Sequence, residues 1–151
     1  MNSIFNTTEI QALQERISQL TPDSNAQWGK MDAAQMCAHC SSVLDVNAGV
    51  IEEKKPSIMV KLMKPMIRKV VFGEKPYPKN SPTSPQFKVT DQKDFETEKA
   101  NLLDRLHYFT ASENRDRVVN HPSKVFGKLS EQQKGWSQYK HLHHHLEQFG
   151  V

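Results

Sequence analysis

The chain is poor in the features that carry a protein out of the cell or across a membrane. Only 2 of its 151 residues are cysteine, too few for the disulfide framework of a small secreted domain. No run of roughly 18 apolar residues is present, which excludes a helical membrane span. The start, MNSIFNTTEIQ, has neither the basic opening nor the apolar stretch of a secretory signal. Charge of one sign is missing too. The 20 Lys+Arg and 17 Asp+Glu leave a net +3, so no polyanion-binding footprint covers the whole chain. No β-alternation of useful length and no internal repeat appears. Together these absences lead us to expect a reduced, cytoplasmic, all-α protein, one domain over residues 1–151 with a real core.

What is present reads as four main helices. Thr8 and Gln11 have capping-box spacing ahead of an apolar stripe of Ile10, Leu13, Ile17 and Leu20, and Pro22 closes that segment. Asp32 with Gln35 opens a second helix through Met36, Cys40, Val43 and Leu44, with Gly49 near its end. Residues 57–72 have helical spacing at Ile58, Leu62, Met66 and Val70, but Pro65 predicts a break or kink. Pro76, Pro78, Pro82 and Pro85 then make a stiff connection that can cross from one end of a bundle to the other. Helix resumes near Asp94, with Leu102, Leu103, Leu106 and Phe109 on its apolar face. Residues 112–129 read as polar and irregular, with a turn at His121-Pro122. Ser130 with Gln133 opens the last helix, which runs to about Phe149 with Trp136, Tyr139 and Leu146 toward the core and Gly150 as its stop.

Histidine is the residue type in excess. Four of the seven, His141, His143, His144 and His145, fall within five positions. The interrupting Leu142 and the continuation through Glu147, Gln148 and Phe149 mark native helix, not a purification tag. On a helix, residues four apart differ by about 40° and about 6 Å, so His141 and His145 aim two imidazoles at one point. His143 lies about 200° round from His141 and points away, while His144 is near enough for a supporting or third contact. A third ligand has to come from elsewhere: His39, His107, His121, Cys37, Cys40 and several carboxylates qualify, and spacing does not choose among them. Leu142 stands where a zincin-type protease needs glutamate, which excludes that class. Cys37 and Cys40 form CxxC, but about 100 residues separate them from the histidine pair, unlike a zinc finger. We read both as buried, hydrophobe-like cysteines.

The segments WGKMDAAQMCAHC (Trp28 to Cys40), YPKNSPTSPQFKVTDQKDFETEK and HPSKVFGKLSEQQKGWSQYKHLHHHLEQFGV (His121 to Val151) resemble a domain-of-unknown-function branch of the DinB/YfiT-like superfamily. The resemblance covers nearly the whole chain. It implies a DinB-like four-helix bundle with a long crossover between helices two and three carrying a short extra helix. It also implies a metal held by one histidine of helix two and the HxxxH pair of helix four, here His39, His141 and His145. Gln148 follows His145 by three residues, where many members carry glutamine, and His144, Gln148 and Cys40 become the expected neighbours of the site. Three neutral imidazoles suit Zn²⁺, Ni²⁺ or Fe²⁺. Such an ion activates water or a thiolate. Members of the superfamily include thiol-dependent transferases and isomerases, and others described as metal-dependent hydrolases. The expected function is therefore a metal-dependent hydrolase or low-molecular-weight-thiol S-transferase acting on a small molecule. The alternative is a non-catalytic metal-binding or stress-response module. Dimerisation is common among similar bundles, so a homodimer is possible; no residue selects an interface, and no nucleic-acid partner is expected.

From Lys54 to Lys79, eight Lys/Arg face a single acid, Glu74. Such a segment suits an acidic membrane or a nucleic acid. We expect instead that Met59, Met63 and Met66 pack over the bundle with the lysines solvated, because the apolar residues do not separate cleanly from the charges.

Overall fold

Side-chain caps start the helices where the backbone would otherwise leave donors unpaired. In the computed structural model, which describes residues 2–151, α1 spans Thr7–Gln19 and is capped by Asn6, whose side chain accepts from the Thr8 amide at 2.9 Å. That cap lies two residues ahead of the Thr8 expected from spacing alone. Asp32 and Gln35 make a full capping box for α2 (Ala33–Asn47), and Gly49, at φ +73°, follows its end. Ser57 caps α3 (Ile58–Phe72) and Asp94 caps α4 (Phe95–Thr110). Ser130 and Gln133 form the second full box, opening α6 (Glu131–Gln148).

Two expectations are corrected here. Pro65 does not break α3, which continues through it. The proline removes one donor, and the Lys61 carbonyl that loses its partner belongs to an exposed residue that water can serve. The stretch 112–129 is not wholly irregular, since a 3-10 turn at Ser112–Asn114 leads into α5 (Arg115–Asn120). Six residues are too few to display a period, and α5 is held by the fully buried Val118. A further 3-10 turn, Pro85–Phe87, interrupts the proline-rich connection.

The fold is all-α, with six α-helices and no β-strand among the described residues; Ser123 and Gly127 form an isolated bridge. α2 packs along α4, α6 touches α1, α2 and α3, and α1 returns to α4. Between them lie Leu13, Ile17, Met36, Leu44, Leu102, Leu106, Phe109, Leu142 and Leu146, all 1% exposed or less. Each such side chain contributes roughly 1.5–3 kcal/mol relative to an exposed one. Among the described residues no helix is long and apolar enough to cross a membrane.

Helix C-termini are closed by lysines from other helices. Lys99 on α4 donates to the carbonyls of Ser18 and Leu20 at the end of α1. Lys134 on α6, 1% exposed, donates to Asn47 at the end of α2 and to Val118 and His121 at the end of α5, at 2.6–3.1 Å. Lys140, also on α6, donates to Val70 and Gly73 and so closes α3. An ammonium at a helix C-terminus satisfies free carbonyls and meets the negative end of the helix dipole.

α3 departs from the expected packing. None of its residues is buried, and Met59, Met63 and Met66 face solvent instead of the core. Its attachment is concentrated at its C-terminal end, through Lys140, the Trp136 indole on the Gly73 carbonyl, and Phe72 edge-on to Phe126.

Candidate metal centre

α2 and α6 bring three histidines to one point. His39 comes from α2, and His141 and His145 from successive turns of α6. One ring nitrogen of each lies within 4.8 Å of the others. His39 Nε2 and His141 Nε2 are 3.0 Å apart. Two nitrogens bound to one ion at about 2.0–2.1 Å stand about 3 Å or slightly more apart, so this spacing fits neighbouring positions of a coordination sphere.

The opposite ring nitrogens are engaged. His39 Nδ1 donates to the Phe87 carbonyl at 2.8 Å, and His145 Nδ1 donates to Gln148 Oε1 at 2.8 Å. Each bond fixes the proton on Nδ1 and leaves the Nε2 lone pair toward the centre. The second contact is itself held, because Gln148 Nε2 donates to the Trp28 carbonyl at 2.6 Å. Gly29, at φ +88°, lies against Gln148, and a Cβ there would collide with its amide. The Gln27 amide also donates to the Gln148 carbonyl, so the segment ahead of α2 wraps the end of α6.

Burial controls protonation. His39 and His145 are 3% and 8% exposed. Burial lowers the His39 pKa below its ordinary value, despite the opposing bond to Phe87. It drives His145 down to about 3, with His39 adding to the effect. His141 lies well below the ordinary range, from burial first and then from His145 and His39. All three are neutral at neutral pH, the form that ligates a metal. The donor set fits a borderline divalent cation, and three protein ligands leave further coordination positions open.

The other candidates fall elsewhere. His143 points away from the three nitrogens, accepting from Arg16 Nη1 at 2.7 Å and stacking on Tyr139. His144 packs edge-on to His145 and against Trp28 and Tyr77, beside the centre but outside the three-nitrogen group. Cys37 and Cys40 are free and buried in the core, with Cys40 Sγ 3.7 Å from Met36 Sδ. Burial pushes the Cys37 thiol up to about 12 and Cys40 well above its ordinary value, so neither is a ready thiolate. His107 is exposed on α4, and the His121 ring covers Gly49.

Sequence reasoning missed two contributors, and one unpaired buried polar group on α6. The Phe87 carbonyl is a backbone group with no residue-type signature. Trp28 supplies a carbonyl, has no partner on its buried Nε1, and carries the Lys79 ammonium 4.1 Å from its ring centre. Gln138, 5% exposed, leaves Oε1 unpaired on α6. It lies one turn before His141 on the same helix face, which was the available signal. Tyr77, Trp136, Tyr139, Lys140, His143 and His144 line a separate cleft of about 340 Å³, to which none of the three converging histidines contributes.

A family model described as "Protein of unknown function (DUF1569)" matches residues 4–150. Among the curated proteins and the solved structures, none matches the chain.

Proposed function

The chain belongs to the DUF1569 family, and from its site we propose a metal-dependent enzyme acting on a small molecule, of the hydrolase or low-molecular-weight-thiol S-transferase type. The observation that carries the reading is the convergence of three neutral ring nitrogens within 4.8 Å, two of them with their far side locked by a hydrogen bond. His39, His141 and His145 would hold the ion. Locked ligands with open positions are the arrangement of a catalytic site more than of a closed structural one. A bound divalent cation would supply Lewis acidity and lower the pKa of water or a thiol. The chain's own residues supply the rest. Gln148 and Phe87 orient the imidazoles, the core excludes water from their inner edges, and the unpaired Gln138 Oε1 offers an acceptor to a ligand.

We also propose that α1, α2, α4 and α6 form a DinB-like four-helix bundle, with α3 and the proline-rich connection as its crossover. The closed ring of contacts α1–α6–α2–α4–α1 supports this. One observation favours a second reading. His39 and His145 are nearly buried and join α2 to α6, as a structural ion would.

Metal analysis of tag-free protein expressed with Zn²⁺, Ni²⁺ and Fe²⁺ available tests the site. About one equivalent is expected, lost in His141→Ala plus His145→Ala; absence of metal, or unchanged binding in that variant, disposes of it. A turnover screen pairing small thiols with electrophiles and hydrolysable esters and amides then separates enzyme from structural centre. Metal without turnover supports the second reading.

A further inference from the structure

We propose that α3 is an interfacial helix that lays its outward apolar face on an anionic lipid surface. Ile58, Met59, Leu62, Met63, Met66 and Val70 are 36–77% exposed. At 100° per residue they occupy an arc of about 140°. Val60, Ile67 and Val71, half-buried, lie on the protein side. This inverts the usual order, in which a surface helix turns its apolar stripe inward. Contiguous exposed apolar surface of this kind marks an interaction site, whereas isolated exposed residues need no explanation.

Charge selects the occupant. Lys61 and Arg68 lie about 60–80° beyond the Ile58 edge of the arc, Lys69 falls just inside that edge, Lys64 lies on the far side near Val71, and α3 contains no acid. Over residues 54–79 the count is eight basic residues against one acidic. A second copy docked through this face would set two such segments against each other. A layer of anionic headgroups complements them, while the lysine stems reach up from the apolar boundary. The face is one side of a single helix with no buried residue, and its methionines and branched aliphatic side chains suit a deformable partner. α3 has 15 residues, so it is about 22 Å long, enough to lie in an interface but too short to span one. Its C-terminal end is fixed by Lys140 and Trp136, which presents the face as part of the folded protein.

Sedimentation of the full chain with vesicles tests this. Capture by vesicles of phosphatidylcholine mixed with phosphatidylserine should exceed capture by pure phosphatidylcholine by about tenfold or more, and should weaken as salt is raised. Leu62→Glu plus Met66→Glu, and separately Lys61→Glu plus Lys69→Glu, should each reduce capture about tenfold. These side chains are exposed, so circular dichroism melts should match the wild type, which keeps a loss of binding interpretable. Equal recovery with and without vesicles overturns the proposal. So does a loss confined to the lysine variant, which means headgroup attraction without insertion. A concentration-dependent dimer abolished by Leu62→Glu, with no vesicle capture, assigns the face to a second copy and overturns it equally.

Discussion

His39 Nε2 stands 3.0 Å from His141 Nε2 although 102 residues separate them in the chain. His39 has its proton held on Nδ1 by Phe87, so its Nε2 presents a lone pair. Two neutral imidazole nitrogens brought this close need a shared proton or a shared cation between them.

The first prediction concerns that cation. With zinc a hundredfold above its dissociation constant, binding to the folded state alone adds about 2.7 kcal/mol, and for a chain of this size each kcal/mol raises Tm by about 2–4 °C. Scanning calorimetry with and without added metal should show this shift in the wild type. His39→Ala and His145→Ala should show none, and a full shift in either removes that residue from the ligand set.

The second concerns Gln148. Gln148→Leu keeps the bulk, but removes the acceptor for His145 Nδ1 and the donor to the Trp28 carbonyl. Loss of such an outer contact costs about 10–100-fold in metal affinity, readable by competition with a chromogenic chelator. An affinity equal to wild type would mean that His145 is oriented by packing alone.

Lys134 yields a stability prediction. Lys134→Met removes the donor shared by the Asn47, Val118 and His121 carbonyls and should destabilise the protein by about 3 kcal/mol or more in urea melts. Lys99→Met loses only two acceptors in a more exposed setting and should cost less.

The same lysine sets a pH dependence. Burial lowers its pKa in the folded protein from 10.5 to about 8. Between those values the unfolded chain holds the proton and the folded chain has released it, so unfolding takes up a proton and rising pH favours the fold. Wild-type stability should therefore rise relative to Lys134→Met from about pH 8 to 10.5. Parallel curves would show that the carbonyls hold the ammonium charged throughout.

The helices that carry the site were legible because side chains that cap are residue-specific. Asp32 with Gln35 and Ser130 with Gln133 announce α2 and α6 in the sequence, and both boxes form. The grouping of His39 with His141 and His145 was legible only through resemblance, because spacing along one helix says nothing about which neighbour faces it. Phe87 and Trp28 act through carbonyls, which every residue has. α3 was misread for a related reason. Periodicity shows that a helix has an apolar face, but the side it turns to the protein depends on where its ends are tied.

One of those ties has a mechanical consequence. Lys140 grips the last carbonyls of α3 with its ammonium, and the next residue along its backbone is His141. A shift of α3 loads those bonds first, and the side chain that bears the load hangs from the backbone next to His141. On α6, the grip on the surface helix and the first imidazole of the centre thus stand a single peptide bond apart.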